Sequence, residues 1–387
     1  MPIKAGETSA CHGVWQMQKA TVFNFLIELK NCNRQADEKK TILRPMLPVF
    51  ALTGYGIERI AAEEMGEIPG VHVEEVAYRR VCATCGGELA PLLGLRTVDD
   101  VFLKLDAWDG LPPQRVGLQI LLQRSEQWNL HRVLKILARE RAIEPANIFS
   151  VTVSFVGRRN YSADEVKQAV AEGIYRHYRW EYSPDDEESS FNVRLFIEHE
   201  RVLAGVRVGA RPLHRRAYKQ VHLAGSLKPS VAAAILRFAG VKKGHVFLDA
   251  FCGAGTLAIE AAWLGAYCLG GDLSPEAIQA SRANASLAGQ PVNWCRLDAT
   301  RLPFASRSID RMASNLPWGR QVGVDSRLED LYRAACAEME RALAPQGRVV
   351  LLTSLPELVV FERLRLIDRL EISLFGQRPA ALLFGLA

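Results

Sequence analysis

Three carboxylates stand in register behind three consecutive short apolar runs: Asp249, Asp272 and Asp298. The first opens the run Asp249-Ala-Phe-Cys-Gly-Ala-Gly255, which leads into Thr256-Leu-Ala258. A buried strand entering a glycine-rich turn and then a helix leaves free N–H groups facing a ligand, and Gly253 and Gly255 let the backbone approach it closely. The glycine spacing alone fits a nicotinamide-binding turn as well. Asp249 discriminates: a carboxylate just ahead of the glycines would repel a pyrophosphate and suits the ammonium group of a methionine moiety. Asp272, closing the second strand, can accept from both hydroxyls of a ribose. Asp298, after the third, can accept from an adenine amino group. Each alone also reads as a loop acid or a helix cap.

A fourth strand ends in Ser314-Asn-Leu-Pro-Trp-Gly319. The side-chain oxygen of Asn315 can accept from an exocyclic amine. Leu316 precedes a proline, which holds it extended and lets its carbonyl point outward. Trp318 offers a stacking face for a planar base. The plainer reading is a structural proline turn with a core tryptophan. Cys252, inside the glycine turn, reads as a small buried residue. Cys82 and Cys85 form the one C-x-x-C pair, with no second ligand pair at zinc spacing.

Regular β-α alternation after Lys219 positions these residues. Strands are expected at His245–Ala250, Tyr267–Asp272, Val292–Arg296, Ile309–Ser314 and Arg348–Thr353, with helices between them, notably Pro275–Leu287 and Leu328–Leu343. Strict alternation implies a parallel sheet with right-handed crossovers. Leu370–Phe375 and Ala380–Leu386, joined by Gly376-Gln-Arg-Pro379, are too close for a crossover and read as an antiparallel hairpin. From Met46 to about residue 210 the pattern is α+β. Leu47–Leu52, Val98–Asp106, Phe149–Val156, Phe191–Glu198 and Arg201–Val208 read as strands. Trp128–Arg141 and a helix from Ser162 to about Tyr178 accompany them, the latter opened by a Ser162/Glu165 capping box. Residues 1–45 read as a disordered extension or a misread start.

Apolar residues make up 49% and charged residues 24%, ordinary for a globular chain. No run of about 18 apolar residues is present, which excludes a spanning helix of the usual kind and makes a cytoplasmic protein the expectation. The net charge of +5 is modest, but it is unevenly placed. Between Arg201 and Val246 stand ten Lys or Arg and no acid, either a solvated linker or a phosphate-facing strip.

The Asp249–Gly255 run and the Asn315-Leu-Pro-Trp318 tetrad resemble class I S-adenosylmethionine-dependent N-methyltransferases. The tetrad is a variant of their (N/D)-P-P-(Y/F/W) motif, with Leu316 for the first proline and Trp318 for the commoner tyrosine. Arg211-Pro-Leu-His-Arg-Arg-Ala-Tyr218 followed by Ser226-Leu-Lys-Pro229 resembles the THUMP-domain RNA methyltransferases, with Lys228 where arginine is expected. This resemblance, from Met46 to Ala387, implies a Rossmann-like C-terminal domain of seven strands with an antiparallel last strand. A ferredoxin-like domain (46–100), a THUMP RNA-binding domain (101–210) and a cofactor-closing linker (211–230) would precede the methyltransferase domain (231–387). It implies S-adenosylmethionine as cofactor, held by Ser226, Lys228, Pro229, Asp249, Phe251, Gly253, Gly255, Thr256, Asp272, Leu273, Asp298, Ala299 and Asn315. Asn315, Leu316, Pro317 and Trp318 would carry the chemistry. Arg158, Arg159, Arg215, Arg216 and Lys219 would meet RNA phosphates. The implied reaction is methylation of a guanosine N2 amine in tRNA, in the branch acting at position 6 of the acceptor stem. No metal or membrane is expected, and an activating subunit is left open. Competing readings are another RNA amine, including ribosomal guanine N2 or adenine N6, a nicotinamide-dependent oxidoreductase, and a non-catalytic RNA-binding relative.

Overall fold

Alternation of apolar and polar residues builds half-buried strands, and the computed structural model describes residues 46–141, 143, 148–318, 326–374 and 376–386. The 1–45 segment and Gly319 therefore lie outside the described residues. The compact unit spans Leu47–Ala387. Its first half contains Leu47–Leu52 (β1), Val71–Ala77 (β2), Arg80–Cys85 (β3), Asp100–Trp108 (β4), Ile148–Val156 (β5), Glu181–Tyr182 (β6), Phe191–Glu198 (β7) and Arg201–Arg207 (β8). These form one sheet in the order β2-β3-β1-β4-β8-β7-β5-β6. β5 runs parallel to β6 and β7, and the other pairs are antiparallel. The sheet therefore continues across residue 100, where the sequence suggests a boundary: β4 bonds to β1 on one side and to β8 on the other.

Glu58–Gly66 (α1), Val116–Glu126 (α2), Leu130–Leu137 (α3) and Ala163–Tyr178 (α4) accompany this sheet. The expected capping box opens α4: Glu165 N donates to Ser162 Oγ at 3.2 Å, and Ser162 N donates to Glu165 Oε2 at 2.8 Å. α3 starts two residues after the expected Trp128, because Asn129 caps it by accepting from Arg132 N, and it ends at Leu137 rather than Arg141. Cys82 and Cys85 sit three apart on β3, so they face opposite sides of the sheet and enter different apolar clusters.

The second half alternates as expected. Its strands are Val246–Asp249 (β9), Tyr267–Asp272 (β10), Val292–Arg296 (β11), Ile309–Asn315 (β12), Leu343–Thr353 (β13), Leu364–Glu371 (β14) and Ala380–Leu386 (β15). Pro229–Phe238 (α5), Thr256–Trp263 (α6), Pro275–Ala288 (α7) and Ser326–Ala342 (α8) lie between or before them. The order β11-β10-β9-β12-β13-β15-β14 is parallel except for β15, antiparallel to both neighbours. This is a Rossmann-like sheet with a reversed strand. The expected hairpin is present, but its first strand is Leu364–Glu371 rather than Leu370–Phe375. Residues 372–374 and 376–379 lie in the connection, in which Leu374 and Gln377 bridge, while the expected strand end Phe375 lies outside the described residues. β13 likewise starts five residues before the expected Arg348.

Strand order reverses between β9 and β12, so their C-terminal ends diverge and leave a crevice, the place where open α/β sheets bind ligands. Asp249 ends β9 and Asn315 ends β12. Ile57 and Ile60, at the start of α1, are buried in one cluster with Val231 and Ile235 of α5 and with Ile372. α1 thus links two separate cores, with Ala61 and Met65 in the first sheet's and Ile57 and Ile60 in the second's.

Candidate active site

A cavity of about 630 Å³ opens at that crevice. Its wall brings together Ser226, Asp249, Phe251, Gly253, Thr256 and Asp272 from the expected cofactor set, and all four tetrad residues, Asn315, Leu316, Pro317 and Trp318.

Asp249 is fully buried. Its Oδ1 accepts from Ser314 Oγ at 2.8 Å and from Phe251 N at 3.2 Å. Burial pushes its pKa up to about 7, against those two hydrogen bonds. Ser314, next to the tetrad on β12, thus fixes the carboxylate at the end of β9. Asp272 Oδ2 accepts from Gly253 N and Oδ1 from Ser274 N, both at 3.0 Å. It holds the glycine turn on one side and opens α7 on the other, and two-lone-pair oxygens keep further acceptor capacity.

The turn needs its glycines for separate reasons. Gly253 has φ +50 and a Cβ there would meet open space, so its backbone is bare on the cavity wall. Gly255 has φ +83, and a Cβ would lie 2.7 Å from the Trp294 ring and 2.8 Å from Ser281 Cβ. Its role is close packing of turn against α7 rather than ligand contact. Burial and the neighbouring Asp249 and Asp272 push the Cys252 thiol far up, so it stays protonated and is no nucleophile.

The tetrad is pinned from two sides. Leu316 N donates to Leu352 O at 3.0 Å. Tyr332 Oη donates to Pro317 O at 2.9 Å and lies 2.7 Å from Thr353 Oγ1. Asn315 Nδ2 donates to Gly225 O at 3.1 Å, which turns Oδ1 outward. That oxygen, expected to await an amine, accepts instead from the indole of its own tetrad: Trp318 Nε1 donates to it at 2.9 Å.

Several expected contact residues lie off the cavity wall or are engaged elsewhere. Lys228 points away from the cavity and pairs with Asp99 at 2.7 Å, while Pro229 begins α5 and is buried. Leu273 is exposed, and the Asp298 carboxylate is turned onto its own loop, accepting from Thr300 N at 2.9 Å and Thr300 Oγ1 at 2.7 Å. Neither they nor Ala299 reach the wall. Among the expected RNA contacts, Arg216 and Lys219 face inward. Arg216 lies 3.8 Å from the fully buried Glu260 and donates to the Leu95 and Arg96 carbonyls. Lys219 Nζ donates to Leu227 O at 2.5 Å and to Thr256 Oγ1 at 2.6 Å, and burial lowers its pKa to about 8. Arg158 is exposed. Arg159 packs over Tyr161 and donates to its hydroxyl at 2.6 Å, and Arg215 pairs with Glu187 at 3.3 Å at the surface.

The wall also carries residues not singled out by sequence: Leu223–Gly225 and Leu227 within the expected cofactor-closing linker, Ser274 and, from the β14–β15 connection, Gln377. Basic residues flank the 223–227 stretch and drew the reading, whereas its small and apolar residues do the lining. Among the described residues no group of three His, Cys, Asp or Glu could hold a metal ion.

Residues 216–363 match the family described as UPF0020, RMKL-like, methyltransferase domain. The chain is similar to the tRNA (guanine(6)-N2)-methyltransferase of Thermus thermophilus, with 31% identity over 317 residues that cover 80% of this chain and 90% of that protein. It is 27% identical over 234 residues to the tRNA (guanine(6)-N(2))-methyltransferase THUMP3 of Bos taurus, and there the chain spans about half the relative's length, 46%. The crystal structure of TrmN from Thermus thermophilus superposes with a TM-score of 0.72 at 26% identity, over 88% of this chain and all of that one, 100%.

Proposed function

Because the chain belongs to the family of UPF0020, RMKL-like methyltransferases, we propose that it transfers a methyl group from S-adenosylmethionine to the N2 amine of a guanosine in tRNA, at position 6 of the acceptor stem. The observation that carries this reading is the convergence of Asp249 and the Asn315–Trp318 tetrad on one cavity at the reversal of strand order. The donor set fits the cofactor: a buried carboxylate for an ammonium group, a bare glycine backbone, and an acid at the end of β10 for a ribose. When bound, S-adenosylmethionine supplies a methyl group on a cationic sulfur.

The protein's task is alignment. Asp249 would hold the amino-acid end and Asp272 the sugar. Asn315 Oδ1 and the Leu316 carbonyl would accept from the guanine amine and orient it, and the proton the amine gives up on methylation would leave to solvent. Trp318 stacks on the base, which must leave its helical stem to reach the cavity. Neither a covalent intermediate nor a cysteine base enters. The first half would set which nucleotide arrives, with Arg158, Arg159 and Arg215 toward phosphates.

The test is methylation of bulk unmodified tRNA with labelled S-adenosylmethionine, followed by nucleoside analysis. N2-methylguanosine as sole product is expected, and mapping then gives the position. Transfer to ribosomal RNA but not tRNA would keep the chemistry and overturn the substrate.

A further inference from the structure

A second cavity, of about 330 Å³, lies on the face of the first sheet that carries Thr152, Ser154, Arg194 and Arg207, and is bounded by His214, Arg215 and Lys228. Five cations line it (Arg79, Arg194, Arg207, Arg215 and Lys228) against three carboxylates, Asp99, Asp100 and Asp186. Those carboxylates are already committed. Arg207 Nε donates to Asp100 Oδ2 at 2.6 Å, and Arg207 Nη1 to Asp186 Oδ2 at 2.7 Å. Asp99 takes Lys228 Nζ and Ser230 Oγ, each at 2.7 Å. Arg215 turns to Glu187 at the rim. Among the described residues the side chains of Arg79 and Arg194 are not bonded to any of these carboxylates, although Asp100 acts on Arg194 through space.

Arg194 is the sharper case. Its Nη2 donates to Ser154 Oγ at 2.6 Å, while its Nε is buried with no partner. Burial lowers its pKa to about 10; the nearby Asp100 is the largest charge opposing this, with Asp99 behind it, while the guanidinium groups of Arg207 and Arg79 add to the lowering. A guanidinium taken out of water with no carboxylate bonded to it and a bare Nε is costly, and an oxyanion arriving beside it recovers that cost. The hydroxyls are set for the same ligand. Ser154 Oγ accepts from Arg194, and Thr152 Oγ1 accepts from Asn192 Nδ2 at 2.9 Å, so each keeps its O–H free to donate. Burial lowers the His214 pKa and keeps that ring neutral near pH 7.

We infer that this cavity is a phosphate site, in which Arg194 and Arg79 bind a phosphate group with Ser154 and Thr152 as added donors. The inference is independent of the methyl-transfer chemistry. The phosphate belongs either to an RNA backbone or end, or to a small phosphorylated molecule.

The experiment titrates the full chain with inorganic phosphate in chloride buffer, by calorimetry, for the wild type, Arg194→Gln and Arg79→Asn. Asparagine suits the left-handed φ of 56 at position 79. The wild type is expected to saturate, with binding weakened about tenfold in Arg194→Gln, the scale of one charge-assisted hydrogen bond, and several-fold in Arg79→Asn. Displacement of phosphate by tRNA, with a tRNA salt slope shallower by about one in each variant, assigns the ligand to RNA. Phosphate binding undisturbed by tRNA assigns it to a small molecule. Phosphate binding equal in all three proteins, or none in the wild type with an unchanged tRNA salt slope, overturns the inference. Should Arg194→Gln not fold, the exposed Arg79→Asn decides alone.

Discussion

A carboxylate sealed from water behaves as a weak acid, and Asp249 is such a group. Its ordinary pKa of 3.8 is pushed up to about 7, so between those values the folded protein holds a proton that the unfolded chain releases. Its contribution to stability therefore falls as pH rises through that window. A cation bound beside it favours the ionised form. Below pH 7 cofactor binding should release a proton, and affinity should climb with pH until about 7 and then level off. Calorimetry at pH 6 in buffers of different ionisation heat reads this directly; no proton release there would remove Asp249 from the ammonium site. Asp249→Asn should lose the affinity and its pH dependence together. At Asn315 the competing donor is internal, since the Trp318 indole occupies the acceptor in the free protein. Trp318→Phe keeps a stacking face and removes that donor, so KM for RNA should stay equal or fall. Asn315→Ala should leave cofactor binding intact and lower kcat by about 10²–10³. Full turnover in Asn315→Ala would exclude the tetrad from catalysis. The residue types at Asp249, Asp272 and Asn315 were legible because each closes a strand. The Trp318–Asn315 bond was not, because side-chain direction within a turn is decided by what packs beneath it, here Tyr332 and Thr353.

At the scale of elements, what spaces these residues is short-range grammar. Glycine turns, proline in a first helical turn and the capping box at Ser162 all carry local signals, and those elements were readable to within a residue or two. The hairpin of β2 and β3 carries none: its turn places Arg79, not glycine or asparagine, at positive φ. The destination of a charge is also invisible locally. Arg216, Tyr218 and Lys219 are held by α6, some forty residues on, where the fully buried Glu260 takes Arg96 Nε at 2.7 Å and Tyr218 Oη at 2.8 Å. This joint fixes the start of the 216–227 segment, whose end lines the cavity. Glu260→Gln leaves guanidinium groups unbalanced and should cost roughly 3 kcal/mol, the low end for a broken buried pair because Arg96 retains some water. It should also raise KM for the cofactor more than it lowers kcat. A melting curve with cofactor kinetics checks both, and an unchanged KM would reduce the joint to a purely structural one. Gly255→Ala should fail differently: strained φ and a 2.7 Å approach to Trp294 predict a loss of about 1–3 kcal/mol in stability.

At the scale of the molecule, composition misled where it was most suggestive. The acid-free block from Arg201 to Val246 reads as a solvated linker or a phosphate-facing strip, yet Arg207 and Arg216 meet carboxylates supplied by distant segments. Lys228 and Arg237 meet Asp99 and Glu67, and these two pairs run between the halves. The same surface joins them apolarly, since Ile57 and Ile60 pack with α5, and Ser373 N donates to Tyr55 O at 3.1 Å. A helix with one face in each core ties the unfolding of the two sheets together. Cofactor bound at the second sheet should therefore stabilise the first. Held at about a hundred times its Kd, the ligand adds about 2.7 kcal/mol to whatever unfolds with its site. Tryptophan emission samples both halves, through Trp108, Trp128 and Trp180 in the first and Trp263, Trp294 and Trp318 in the second, and far-ultraviolet dichroism reports on the whole. Both signals should show one transition and move upward together when S-adenosylmethionine is added. Two transitions, with only the later one moving, would mean that α1 is too weak a link to couple the halves. In that case the RNA selection proposed for the first half would proceed without sensing whether the cofactor is in place.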